Sequence, residues 1–182
     1  MKSFQRNYWF QVLAWTAFIY LTLPFAQSLT QFLTQFIPIS IAVNVLYVLA
    51  LIFLLFLLHK IKIRFRSTYL ILIVLATVMI HLLKSMTIPI EKIHFLEYGF
   101  LAFLIHKALQ AKTNKVLAYL LAFLLTAALG WGDEGIQYLL PGRYYDLRDV
   151  LYNTLGGFLG LWITFAVRRE RGLQQRQLTS NP

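Results

Sequence analysis

Acidic side chains are concentrated in one short part of this sequence. The chain has seven Asp and Glu residues, and four of them, Asp133, Glu134, Asp146 and Asp149, lie between positions 133 and 149. They follow an uncharged apolar run that extends from Val116 to Leu129. Carboxylates can bind a cation, accept hydrogen bonds from a polar ligand or transfer protons, so this position indicates a functional site at the end of an apolar segment.

Three apolar segments carry polar residues at spacings of three and four, which place side chains on one face of a helix. The three sets are His94, Glu97 and Tyr98; Asp133, Glu134 and Gln137; and Asp146, Asp149 and Asn153. Ionisable groups inside a membrane normally face other helices or water rather than lipid. We therefore expect the three sets to converge on a polar pocket, with His94 or Glu97 within side-chain reach of the second set.

The residue types suggest different roles within that pocket. Four residues are candidate catalytic groups: His94, Glu97, Asp133 and Glu134. His94 could act as a general acid or base oriented by a carboxylate. No cofactor is expected, although paired carboxylates could bind a divalent cation. The candidate ligand-binding residues are Tyr98, Gln137, Arg143, Asp146, Asp149 and Asn153. Arg143 could bind a phosphate or carboxylate, or neutralise Asp146 or Glu134.

Composition indicates that membrane helices position these residues. The 182 residues are 59% hydrophobic and 13% charged, whereas a soluble domain is about one quarter charged. Six runs approach the length needed to cross a hydrocarbon core of about 30 Å, at roughly 8–26, 39–59, 69–88, 93–109, 116–138 and 149–167. We expect an all-α bundle of six transmembrane helices. Four prolines are expected at or beyond helix ends, namely Pro24, Pro38, Pro89 and Pro141.

The basic residues predict the orientation of this bundle. With six spans, thirteen of the 17 Lys and Arg residues fall on one side, leaving Lys84, Lys92, Arg143 and Arg148 on the other. The positive-inside rule then places both termini in the cytoplasm and the polar pocket at the outer face. Residues 1–170 form one transmembrane domain, followed by a polar cytoplasmic tail at 171–182 that is expected to be disordered. In such a protein the net charge of +10 indicates contact with anionic lipids rather than nucleic acid.

Two features near the helix ends allow alternative interpretations. Gly156 and Gly160 have the G-x-x-x-G spacing that permits close helix approach, either within one subunit or at a homodimer interface. His106, at the cytoplasmic end of the fourth run, has no cluster of polar residues around it and is expected at the surface.

The order of these residues resembles the VanZ-like family, which is named after a teicoplanin-resistance protein. The resemblance covers about residues 70–167 and rests on "EKIHFLEYGFL" and "DEGIQYLLPGRYYDLRDVLYNTLGGFLG". It implies a bacterial cytoplasmic membrane protein with a link to glycopeptide tolerance. The family's polar signature falls on His94, Tyr98, Asp133, Glu134, Gln137, Arg143, Asp146, Asp149, Asn153 and Gly157.

Several functions are compatible with this sequence. The pocket could bind a cell-envelope lipid, a lipid-linked cell-wall precursor or a lipoglycopeptide, or it could act as an enzyme on a phosphorylated lipid headgroup. The polar residues could instead only hold the helices together. Transport is a weaker alternative, in which His81 and Lys84 extend the polar path. The chain has no cysteine and no serine nucleophile motif, so acyl-enzyme chemistry is not expected.

Overall fold

The computed structural model describes residues 2–86, 91–141 and 143–180 and, within these ranges, consists of helices and connecting turns without strands. Each of the six predicted runs corresponds to one helix, which confirms the all-α architecture. The helices are α1 (Lys2–Thr34), α2 (Ile39–Ile61), α3 (Arg66–Ser85), α4 (Glu91–Leu109), α5 (Lys115–Leu139) and α6 (Leu147–Ser180).

Four of these helices are long and apolar enough to cross a membrane. They are Ile39–Ile61, Arg66–Ser85, Lys115–Leu139 and Leu147–Thr179. The segments Tyr8–Phe25 and Ser28–Thr34 of α1, bent by 67°, would together form a fifth span. α4 does not meet the same criteria, because charged residues interrupt its apolar sequence.

The prediction for Pro24 is wrong. Pro24 lies inside α1, and the helix continues ten residues further to Thr34. Proline cannot donate an i to i−4 hydrogen bond and therefore favours a kink, but a helix can continue beyond it. The 67° bend between Phe25 and Ser28 follows this proline directly. Pro38 precedes α2 and Pro141 follows α5, as expected, whereas Pro89 lies outside the described residues.

α4 is the central helix of the bundle, since it packs against α1, α5 and α6. Its interior face is fully enclosed, and its buried residues include Tyr98, Leu101, Ala102, Ile105 and Ala108. A helix shielded from lipid by its neighbours can carry polar groups that a lipid-facing helix could not. The low hydropathy of α4 is therefore consistent with a place inside the bundle.

Glycines bring α6 into close contact with α4. A Cβ atom on Gly160 would lie 2.4 Å from the Gly99 carbonyl oxygen, and one on Gly156 would lie 2.9 Å from the Phe95 Cα. Both glycines thus pack within the subunit, as one of the two interpretations predicts. A homodimer through the same face of α6 would require a helix of the second copy to take the place of α4. Dimerisation therefore stays a prediction.

The polar C-terminal segment is helical, so the prediction of disorder is wrong for the part that the structure describes, which ends at Ser180. The Gln174 amide donates hydrogen bonds to the Ile61 and Lys62 carbonyls at the end of α2. The buried Glu170 carboxylate accepts from the Arg64 N–H and the Thr68 hydroxyl, each at 2.7 Å. Contacts with the α2–α3 connection therefore order the extension of α6. The polar composition of the segment predicted disorder because it gives no information about these distant partners.

His106 is buried, so its predicted surface position is wrong. Only 1% of the residue is exposed, and its ring lies against that of Tyr119 on α5, with 4.1 Å between centroids. Burial follows from the central place of α4, because α5 covers the face that a lone helix would expose.

Candidate functional site

Asp133 lies at the centre of the candidate site. It is fully buried and is contacted by three side-chain hydrogen-bond donors. The Tyr98 hydroxyl donates to Oδ2 at 2.8 Å, the Gln137 amide to Oδ1 at 3.2 Å and the Asn153 amide to Oδ2 at 3.5 Å. Tyr98 belongs to α4 and Asn153 to α6, so one carboxylate on α5 connects three helices. Donors of this kind are what allow a carboxylate to lie away from water.

Glu134 is also fully buried, next to Asp133. Its Oε1 accepts a hydrogen bond from the Gln137 amide at 3.1 Å, and its Oε2 accepts one from the Asp146 backbone N–H at 3.3 Å. Gln137 therefore bridges both acids from one turn further along α5. The Asp146 contact attaches the start of α6 to the end of α5.

His94 connects this buried centre to the surface of the protein. Its Nδ1 lies 3.3 Å from Glu97 Oε2 and 3.6 Å from Asp133 Oδ2, and the His94 and Glu97 side chains are each 17% exposed. At these distances a protonated imidazole would be attracted to both carboxylates, although Nδ1 forms no hydrogen bond with either of them. The predicted proximity of His94 to the acids of α5 is thereby confirmed.

Asp149 contributes a further carboxylate on α6. It is half-buried and lies within electrostatic range of both His94 and Asp133. Together, His94, Glu97, Asp133, Glu134 and Asp149 are termed the polar cluster below. Their convergence agrees with the three helical faces that the sequence predicts.

The Asp146 carboxylate is bound by Arg148. Its Oδ1 accepts from the Arg148 backbone N–H at 2.8 Å, as in an N-cap of α6, and its Oδ2 forms an ion pair with the Arg148 guanidinium at 2.6 Å. The hydrogen bonds from Arg148 lower the pKa of Asp146. Asp146 thus contacts the polar cluster through its backbone N–H, which donates to Glu134, whereas its carboxylate pairs with Arg148.

Arg143 does not neutralise any of these acids in the structure. Asp146 instead forms its ion pair with Arg148, although the sequence also allows Arg143 as its partner. The sequence could not distinguish them, because both arginines lie within three residues of Asp146. The polar cluster therefore contains four carboxylates and one imidazole, and among the residues that the structure describes Glu97, Asp133 and Glu134 form no ion pair with Lys or Arg.

Aromatic residues of the first two helices also reach this region, and sequence reasoning missed them. The Tyr20 hydroxyl donates to the Leu129 carbonyl at 2.6 Å, and the Trp15 indole donates to the Glu97 carbonyl at 3.0 Å. The Tyr47 hydroxyl donates to the Lys92 carbonyl. The sequence did contain a signal for two of them, because Trp15 and Tyr20 lie inside the first apolar run rather than at its ends. The indole N–H and the phenol O–H of such buried residues usually need hydrogen-bond partners.

One buried acceptor in the site has no partner. Asn153 is fully buried, yet its Oδ1 accepts no hydrogen bond from the described residues. Exchanging the amide oxygen and nitrogen would not correct this, because the amide nitrogen faces the acceptors Gly130 O and Asp133 Oδ2. A donor from water or from a ligand would satisfy the oxygen.

The arrangement gives no direct support for the divalent cation or for an enclosed pocket. No group of three or more His, Asp or Glu side chains in the described ranges is arranged to hold a metal ion. Two grooves that the structure contains are predominantly apolar and lie apart from the polar cluster. His81 and Lys84, the possible extension of a transport path, are exposed on α3. A cation, a transport path and a polar pocket all stay predictions.

Comparison with known proteins gives one match. A sequence model of the VanZ/LLP1 family matches residues 45–168, which include α3 to α5 and the part of α6 that carries the site. No curated protein and no solved structure matches the chain significantly.

Proposed function

Since the chain belongs to the VanZ/LLP1 family, we propose that it is a multi-pass protein of the bacterial cytoplasmic membrane that binds or acts on a cell-envelope lipid or a lipid-linked cell-wall component. The polar cluster is the binding site, at the outer face. A link to teicoplanin tolerance is part of this proposal.

The orientation rests on the distribution of charge over apolar helices. Six spans with both termini in the cytoplasm place the basic 60–66 and 107–115 segments inside and the 140–146 connection outside. The central α4 then crosses the membrane within the bundle, where α1, α5 and α6 cover it. This topology brings the polar cluster to the outer leaflet.

One observation carries the proposed site. His94 and Glu97 are each 17% exposed, and His94 Nδ1 lies 3.6 Å from the buried Asp133. A ligand at the outer leaflet could reach the imidazole and Glu97, while Asp133 and its donors hold His94 from behind. The excess of carboxylates favours a ligand with hydrogen-bond donors or positive charge, which would also offset the cost of keeping acids away from water.

Two other readings share this geometry. In an enzyme, His94 would be the general acid or base, oriented by Asp133, and would act on a phosphorylated headgroup. In a structural protein, these residues would only hold the helices together, through the hydrogen bonds of Asp133 with Tyr98, Gln137 and Asn153. The partial exposure of His94 and Glu97, 17% each, favours a ligand-binding or catalytic role over a structural one, because a purely structural cluster does not need accessible side chains.

The test replaces the accessible groups and leaves the buried carboxylate intact. His94→Gln and Glu97→Gln are compared with the parent for melting temperature in detergent, for lipids retained after purification, and for teicoplanin tolerance on overexpression. His81→Gln is the matched control, because His81 is exposed on α3. We expect the two site variants to lose bound lipid, and any tolerance that the parent confers, at an unchanged melting temperature.

Each contrary outcome identifies one of the other readings. A melting temperature that falls in parallel with lipid retention indicates that the cluster is structural. A lipid that is chemically altered by the parent and unaltered by His94→Gln indicates an enzyme. Unchanged retention and tolerance in both variants would refute the proposed site.

A further inference from the structure

A second region of the molecule has the form of a lipid site, on the opposite side of the proposed membrane. A groove of about 570 Å³ lies between α2, α3 and α6. This volume falls within the range of roughly 300–1,000 Å³ that is typical of small-molecule sites. Most of the lining is aliphatic and includes Leu54, Leu58, Leu72, Ala76, Met79 and Leu159.

The length of the groove corresponds to one leaflet. Along α3 its lining extends from Tyr69 to Met79, and ten steps along a helix correspond to a rise of about 15 Å. A hydrocarbon core is about 30 Å thick, so the groove spans about half of it. An extended acyl chain entering from the membrane surface would follow this path.

The two ends of the groove differ in chemistry. His59, Lys62 and Tyr69 lie at the end near the α2–α3 connection, and Lys60, Arg64 and Arg66 lie in or next to this connection in the sequence. The opposite end, around Met79, is apolar. A positively charged mouth above an apolar channel complements a phosphate headgroup with a hydrocarbon tail.

Lys62 occupies a backbone conformation that does not favour lysine. It is the C-cap of α2 and has φ of 52°, the one positive φ of a non-glycine residue in the described ranges. Glycine is the usual residue at such a position, because a Cβ atom is strained there. A lysine at this strained position is consistent with a role for its side chain.

Lys60, in the last turn of α2, provides a contrast with Lys62. Its ammonium lies over the Phe56 ring, 5.1 Å from the centroid, and Lys60 does not line the groove. The two lysines are exposed to similar degrees, but only Lys62 faces the channel.

We propose that this groove binds one acyl chain of an anionic phospholipid, with Lys62 bound to the phosphate. The site is independent of the polar cluster, from which it is separated along α6: Leu159 and Ile163 line the groove, whereas Asp149 and Asn153 belong to the outer site. Selectivity for an anionic headgroup, rather than occupancy by any lipid, is the distinguishing property.

The test compares headgroups and lysines on the purified full-length protein in detergent. Native mass spectrometry measures the affinity for phosphatidylglycerol and for phosphatidylcholine with the same acyl chains. Lys62→Gly removes the ammonium group, so we expect about fivefold weaker binding of phosphatidylglycerol. Because glycine suits the left-handed backbone at this position, we expect an equal or higher melting temperature. Lys62→Asn, which also tolerates this conformation, serves as a second variant.

Lys60→Gln is the matched control and should leave binding of phosphatidylglycerol within twofold of the parent. Ala76→Trp, which fills the groove, should weaken binding while both lysines remain. Equal affinity of the parent for the two headgroups would overturn the proposal, as would equal losses in Lys60→Gln and Lys62→Gly. Unchanged binding in Ala76→Trp would likewise exclude the groove as the acyl-chain site.

Discussion

At the scale of single residues, Asp133 shows how a carboxylate can be held without an ion pair to Lys or Arg. It is fully buried and faces donors from α4, α5 and α6. His94 approaches the same oxygen that Tyr98 contacts. Removing the carboxylate would therefore leave several donors without an acceptor in a region with little water, which is costly for each of them.

This reasoning predicts a large difference between two substitutions of Asp133. Asp133→Ala should lower the free energy of unfolding by about 1–3 kcal/mol for each buried group left unsatisfied. Asp133→Asn keeps one acceptor oxygen, so its loss should be clearly smaller. Melting temperatures in detergent measure both, and an Asp133→Ala variant as stable as the parent would contradict the hydrogen-bond network described here.

At the scale of elements, the contact between α4 and α6 depends on backbone approaching backbone. Gly160 lies against Gly99, and Gly156 against Phe95, with no room for a methyl group. Gly157 meets the Thr126 side chain of α5 in a similar way. Small residues at these positions bring α6 close enough for Asn153 to reach Asp133, so helix packing and site geometry are connected.

Alanine substitutions in α6 test this dependence with an internal control. Gly160→Ala should destabilise the protein by about 1–3 kcal/mol, because the new Cβ overlaps the Gly99 backbone. Gly172→Ala, in the same helix with nothing within 4 Å of its Cβ, should stabilise it by about 0.5–1 kcal/mol through helix propensity.

Melting temperatures of the two variants check both signs. A Gly160→Ala protein that melts like the parent as a monomer, but no longer forms a dimer that the parent forms, would indicate the homodimer interface instead.

At the scale of the whole molecule, the proposed topology separates two chemically different ends. The polar cluster and its acids lie at one end of the bundle, and the basic α2–α3 connection lies at the other, attached to α6 through Glu170 and Gln174. In a six-span arrangement, these two ends lie in opposite leaflets of the membrane.

Cysteine labelling tests the topology without interference, since the chain contains no native cysteine. Tyr144→Cys introduces a thiol in the α5–α6 connection and Lys60→Cys one in the last turn of α2, and both positions are exposed. A membrane-impermeant reagent should label Tyr144→Cys in intact cells and Lys60→Cys only after permeabilisation. Labelling of both variants from the same side would refute the six-span arrangement.

The sequence by itself determined the helices and the chemical types at the site. Apolar run lengths and helical spacing are local properties, so they were sufficient to predict all six helices and the convergence of His94 with Asp133. Local patterns also indicated close packing by Gly156 and Gly160.

Only the tertiary structure decided which partners these residues meet. It paired Asp146 with Arg148 rather than Arg143, buried His106 against Tyr119, and ordered the α6 extension through Glu170. It also brought Tyr20 to Leu129, a partner 109 positions away. The physical reason is that periodicity fixes the face and depth of a residue on its own helix. The rotation and separation of neighbouring helices depend on non-local packing, here at the glycines of α4 and α6.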